Sequence, residues 1–322
     1  MARKARATVR QAADMAREAL LVNVKKMGPN DDRLGDLTIY DLQPGWRKPV
    51  AQVQAVFAKH GLDPKHVLPC APDWMVAFGR AVEQVGAAIR SKDFELKNAA
   101  KGKKGERRVA VVQIARNGRV TTDDLGTVAC PLASDGGAPY IEREDEEGYA
   151  KSVIAAAREF HEVYTLDDIR TAVVQHIDRS FGLPLRRQPP YVAYWIPAAG
   201  SVEVEKLRDA VEELGAGSIE MMTGYKSDPK SSRMAVNTVN KGLEGQLSEF
   251  KAEVDAFVAK DPTSTRVSTI EELVEQAKIL RERGVLYREL LGAQVVSVEA
   301  QYKAVEKTLK KHLGIVEDAH AE

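Results

Sequence analysis

Residues able to do chemistry are few in this chain, and their spacing is poor. His60, His66 and Cys70 fall within eleven residues and carry metal-ligating atoms. The set spans the helix breaker Gly61 and offers no fourth ligand, whereas a closed zinc site needs four. His161 and His176 sit on separate expected helices among acidic neighbours, where a surface or core-edge position accounts for them. Glu142, Glu144, Asp145, Glu146 and Glu147 form an acidic run of the kind that solvates a helix start. No GxGxxG follows a strand, and the phosphate-loop, nucleophile-elbow and HExxH patterns are absent. Catalytic, cofactor-binding and metal residues are therefore not assigned, and the reading leans away from an enzyme.

Two surfaces have the composition of binding sites. The segment KNAAKGKKGERR, residues 97–108, gathers Lys97, Lys101, Lys103, Lys104, Arg107 and Arg108 in a glycine-interrupted loop. Flexible cations neutralise a phosphate backbone without demanding one geometry, so Lys101, Lys103, Lys104, Arg107 and Arg108 are candidate nucleic-acid contacts. The loop lacks the interleaved aromatic residues on which single-strand binders stack bases. The second surface is the C-terminal helical region, where Phe250, Phe257, Tyr287 and Tyr302 recur on apolar seams.

The elements that position these residues begin with an expected helix over 8–27, closed by Gly28-Pro29. Residues 29–49 read as a loop with one short strand around Leu37 to Leu42. KPVAQVQAVFAKHG and PDWMVAFGRAVEQVGAAIRS read as helices, the second with Pro72 near its first turn. Val109 to Ile114, the turn Asn117-Gly118 and Arg119 to Thr122 form an expected hairpin, extended to a meander by Thr127 to Cys130. Two helices with acidic starts follow, the second opened by Thr165, Asp167 and Asp168. YVAYWIP alternates as a strand should, SVEVEKLRDAVEELGAG reads as a helix capped by Ser201 and Gly215, and SIEMMTG as a partner strand.

Beyond Ser227-Asp228-Pro229 the pattern changes. Val236, Val239, Leu243, Leu247, Phe250, Val254 and Phe257 recur at steps of three and four, and after the break at Pro262 the same rhythm runs from Ile270 to Leu309. At about 1.5 Å per residue the two helices would extend roughly 45 and 65 Å and pack as an antiparallel hairpin.

Composition limits what such a molecule can be. With 322 residues the chain is long enough for about two domains of ordinary size. Its 47 basic residues cancel its 47 acidic ones, so no overall field draws it to nucleic acid or an anionic membrane. Two cysteines, Cys70 and Cys130, without CxxC spacing argue against a disulfide scaffold and fit a reducing cytoplasm. The basic start is interrupted by Arg17 and Glu18 where a signal peptide would be continuously apolar, and no apolar run reaches the roughly 20 residues of a membrane span.

The run LDPKHVLPCAPDWMVAFGRAV, with Leu68-Pro69 ahead of a helix bearing Ala77-Phe78 and Arg80-Ala81, the strand YVAYWIP ending at Pro197, SIEMMTG and the long terminal helices together resemble an uncharacterised family. It is one of phage- and mobile-element-encoded bacterial proteins with a C-terminal coiled-coil region. The resemblance implies that context and supplies no catalytic residues. The expected fold is α+β, with a mixed helical and β-meander body over 1–225, a helical hairpin over 228–313 and a flexible tail over 314–322. The expected function is non-enzymatic: a cytoplasmic protein, with neither cofactor nor membrane, that self-associates or holds a protein partner through its long helices. The alternative is weak nucleic-acid binding, or nucleotide or nucleic-acid processing, through the basic loop 97–108.

Overall fold

Residues 32–90, 93–99, 106–114, 120–131, 137–186, 192–259, 267–292 and 294–321 are described by the structure, a computed structural model. The expected helix over 8–27, the turn Asn117-Gly118 and Lys101, Lys103 and Lys104 lie outside them. In chain order the elements are β1 (Arg33–Leu42), β2 (Arg47–Pro49), α1 (Val50–Lys59), α2 (Pro64–Val67), α3 (Trp74–Ile89), β3 (Phe94–Asn98), β4 (Arg107–Ile114), β5 (Val120–Cys130) and β6 (Tyr140–Arg143). There follow α4 (Tyr149–Glu162), β7 (Val163–Thr165), α5 (Leu166–Arg179), β8 (Leu183–Arg186), β9 (Val192–Pro197), α6 (Ala198–Glu213), β10 (Gly217–Tyr225), α7 (Pro229–Val258), α8 (Val267–Leu291) and α9 (Glu299–Ala321). The fold is α+β with antiparallel sheets and a helical C-terminal region.

The chain divides into two compact units. Among the described residues, one comprises residues from 43–59 and 63–172 and the other residues from 32–42, 60–62 and 173–321, so the second unit is interrupted by the first and the boundary falls inside α5.

In the inserted unit, the expected meander is a four-stranded antiparallel sheet in the order β3-β4-β5-β6. Val109 and Val111 of β4 and Val128 of β5 point to one face, where Phe78, Ala81 and Val85 of α3 and Val153, Ala157 and Phe160 of α4 complete a core. Asp73 caps α3 by accepting the Val76 amide at 2.8 Å, one position after the expected Pro72 start. Within the acidic run, Asp145 secures the start of a helix. It is buried and accepts the first amides of α4, Tyr149 and Ala150, at 2.7 Å each. A short pair, β2 with β7, carries α1 on Val53 and Phe57. The Asp168 carboxylate closes the start of α5 by accepting from both the amide and hydroxyl of Thr165, and Arg80 donates to it at 2.7 Å.

The interrupted unit is built on β1, the strand that the sequence reading shortens to a segment within a loop. The strand alternates, but with polar groups on a buried face: Asp36 and Thr38 are fully buried and Tyr40 nearly so, while Leu37 faces the other way. Strand order is β10-β1-β9-β8, all antiparallel. Numbering those four strands as the chain meets them gives 4-1-3-2, a split β-α-β arrangement in which α6 crosses from β9 to β10 over β1. Helix α6 begins at Ala198 on Pro197, so Ser201 lies in its first turn and is not its cap. From there Ser201 donates its hydroxyl to Asp36, which also accepts from Thr223 of β10 at 2.7 Å and from Arg33 at 2.8 Å, while Arg33 holds Glu205 of α6 at 2.9 Å. One carboxylate thus ties a central strand, an edge strand and a helix. Gly200 lets α6 approach the end of α5, since a Cβ there would fall 2.2 Å from the Ser180 carbonyl oxygen.

The opposite sheet face is covered by the C-terminal helices, whose seam residues pack on Trp195, Leu183 and Leu37. They number three, where a two-helix hairpin was expected. The second seam breaks at Gly292, whose φ of +82° is readily adopted only by glycine, and α9 then turns back along α8. Arg281 with Glu306 and Arg288 with Glu299 fix that pair as antiparallel. Helix α9 continues to Ala321, so residues 314–321 extend the helix and do not form a tail. None of the described helices is long and apolar enough to cross a membrane.

Two stability predictions follow from the interrupted unit. Asp36→Ala leaves the Arg33 guanidinium, the buried Ser201 hydroxyl and the half-buried Thr223 hydroxyl short of their acceptor and should cost about 3–5 kcal/mol in urea denaturation; a cost under about 1 kcal/mol contradicts the tie. His176 is buried in α5 against the Glu203 carbonyl at 3.1 Å, and burial lowers its pKa. Its neutral form is thus favoured on folding, so its contribution is full above the unfolded value of about 6.5 and is lost as pH falls through the lowered folded value. Denaturation midpoints at successive pH values should fall below about pH 6.5, with a shallower fall in His176→Gln.

Candidate interaction surface on the C-terminal helices

The four aromatic residues expected to form an outward surface are mostly interior. Phe250, Tyr287 and Tyr302 are buried in the core of the interrupted unit, and Phe257 is half-buried against it. The physical reason is the third helix, because α9 brings Tyr302 alongside Phe250, ring centroids 6.3 Å apart, and His312 alongside Phe257 at 6.0 Å. The Tyr287 hydroxyl serves the fold, lying 2.7 Å from the Phe181 carbonyl oxygen and 2.9 Å from that of Trp195, and so joins α8 to the end of α5 and to β9. Burial pushes its ionisation well above the usual tyrosine range and that of Tyr302 up to about 12, so neither ionises near neutrality. One turn before Tyr287, Arg283 is 1% exposed and donates to the Asp178 side chain at 2.5 Å.

An open surface lies between α7 and α9. These helices run parallel, as the successive pairings of Asn240 with Val296, Phe250 with Tyr302 and Phe257 with His312 require. Parallel neighbours in an up-down-up layer are not joined by a short turn, and between them a groove of about 530 Å³ stays open. Leu247, Val254 and Val305 give it an apolar lining. Its α7 lip carries Glu244, Ser248, Lys251 and Asp255, and its α9 lip Gln301, Ala304 and Thr308. Both lips repeat at three and four residues, the spacing that presents a second helix with a continuous edge. The arrangement combines an apolar floor, small or polar shoulders, and charges at the rim. The lip residues repeat on the flank of α7 beside its buried seam, a pattern visible in the same stretch of sequence.

The other candidate residues go to local contacts. His60 pairs with Glu213 at 2.7 Å and His66 with Asp63 at 2.8 Å, while Cys70 is exposed. His161 stacks on Trp74 with centroids 3.9 Å apart. Cys130 is buried, and burial raises its thiol pKa to about 11, which keeps it protonated and unreactive. No group of three or more metal-ligating side chains converges among the described residues. In the acidic run Glu142 holds Arg108 and Glu144 holds Lys151. Of the basic loop, Arg107 lies over the Phe78 ring at 5.8 Å and Arg108 is engaged with Glu142, so both described arginines have partners within the fold.

The interior placement of Tyr287 generates a test. Tyr287→Phe removes the donor for two main-chain carbonyls at a buried site and should destabilise the protein by about 1–3 kcal/mol in chemical denaturation. A cost near zero would mean that the aromatic ring alone secures α8.

Comparison with curated proteins and with solved structures finds no match. A family model does match, over residues 33–318, spanning the strand, inserted unit and helical layer described above. The chain belongs to that family, a family of unknown function (DUF6744).

Proposed function

We propose that the protein is a non-enzymatic assembly protein that holds an α-helix of another polypeptide in the groove between α7 and α9. The observation that carries this reading is the groove itself, about 530 Å³ with an apolar lining and helix-spaced lips. Covering apolar surface contributes roughly 25 cal/mol per Å², and a helix lying along the lips would convert the parallel α7 and α9 into two walls of a larger bundle. Coiled-coil packing of that kind, in the cytoplasm of a bacterium hosting phage or mobile elements, agrees with the resemblance of the sequence. Nucleic-acid binding has weaker support, because Arg107 and Arg108 are occupied by Phe78 and Glu142.

A photo-crosslinking amino acid at Thr308, on the α9 lip, tests the reading in cells. A covalent adduct should form with the full-length chain and disappear in Ala304→Trp, which fills the groove, while a probe at Glu271 stays silent. Failure to form any adduct at Thr308 or at Gln301 overturns the proposal.

A further inference from the structure

The outward stripe of α7 has an order that a random solvated face would not need. Lys241, Glu244, Ser248, Lys251 and Asp255 are all exposed and recur at steps of three and four, so they share one side of the helix. Read forward, their charges are plus, minus, neutral, plus, minus; read backward they are minus, plus, neutral, minus, plus. The stripe is antisymmetric about Ser248: Lys241 and Asp255 lie seven residues to either side, and Glu244 and Lys251 lie four and three residues away. None of the four charged groups has an ion-pair partner among the described residues. Some cations of the neighbouring helices are matched within the chain, Arg281 and Lys310 with Glu306 and Lys278 with Glu275. Small exposed residues, Gly245 and Ala252, flank the centre and allow another helix axis to come close.

We infer that the helix received here is supplied by a second copy of this chain, whose own α7 docks antiparallel across a two-fold axis at Ser248. Lys241 then meets Asp255 of the other copy, and Glu244 meets Lys251, each pair formed twice by symmetry. A parallel pairing would set every charge against itself, so the pattern selects direction as well as partner. The same stripe forms the α7 lip of the groove, and docking there covers the half-buried Leu247. This inference rests on the proposed function and deepens it by naming the occupant.

The test uses the purified full-length chain and sedimentation velocity over a range of concentrations. Wild type should form a dimer that weakens with salt. Lys251→Glu sets like charges together at two symmetry-related places and should weaken dimerisation by roughly tenfold or more. The double variant Glu244→Lys with Lys251→Glu restores opposite charges only in the antiparallel register and should recover the dimer. Both positions are exposed, and circular dichroism checks that the fold is retained. A wild-type chain that stays monomeric, or a dimer indifferent to Lys251→Glu, or a double variant weaker than the single one, overturns the inference. If Thr308 crosslinks to a different protein while the purified chain is monomeric, the groove reading stands and the second copy is excluded. If Thr308 forms no adduct and the chain is monomeric, both fall.

Discussion

The buried carboxylate of Asp36 is the constraint on which the interrupted unit depends. A charge with no exposure must be neutralised and fully hydrogen-bonded, and here three donors do so from three elements: Arg33 beside it on β1, Ser201 in α6 and Thr223 on β10. The strands flanking β1 are contributed by residues 192–225, so the same interaction fixes how chain segments distant in sequence are registered. Apolar packing alone tolerates sliding, whereas a carboxylate with donors at fixed positions does not. With the α6 face locked in this way, Trp195, Leu37 and Leu183 present the opposite face to the C-terminal helices, and the groove becomes a property of how three helices cover that face.

The second fixed point is at Arg283 and Tyr287. Both lie on the buried side of α8 and bond to polar groups at the end of α5 and on β9, which sets the axial position of α8 against the sheet. Helix α9 inherits that position through Arg281 with Glu306, and α7 holds the segment leading into α9 through Asn240, which bonds the main chain of Gln294 and Val296. The groove is therefore held at one end by an amide clamp and along its length by aromatic contacts. Its walls are preformed, and little ordering cost is left for a helix that enters.

Much of this was legible in the sequence wherever a local rule decides the outcome. The capping sets Thr165-Asp168 and Asp228-Pro229, a strand over Val192–Pro197 and the seam from Val236 to Phe257 all appear in the structure as read. What was not legible depends on long-range pairing. In β1 the buried face carries Asp36 and Thr38, so the usual apolar alternation is inverted, and the burial of Asp36 is explained only by its donors Ser201 and Thr223, 165 and 187 residues away. The break at Gly292 was hidden because the apolar rhythm continues through it, and a helix period carries no information about where the chain reverses. The burial of Phe250, Tyr287 and Tyr302 followed from that missed reversal. The insertion inside the unit was invisible for a related reason: composition does not change at its borders.

The interruption also sets a timetable for synthesis. When β1 leaves the ribosome its neighbours β9 and β10 do not yet exist, and at about 5–20 residues per second roughly 8 to 30 seconds pass before the first of them is made. Throughout that interval the nascent strand carries unpaired backbone and a carboxylate destined for burial, while the inserted unit, with its local meander and the helices packed on it, is completed before β9 is made. The order of completion is thus inside out, the guest before the host, and a charged Asp36 keeps the waiting strand soluble until its partners arrive.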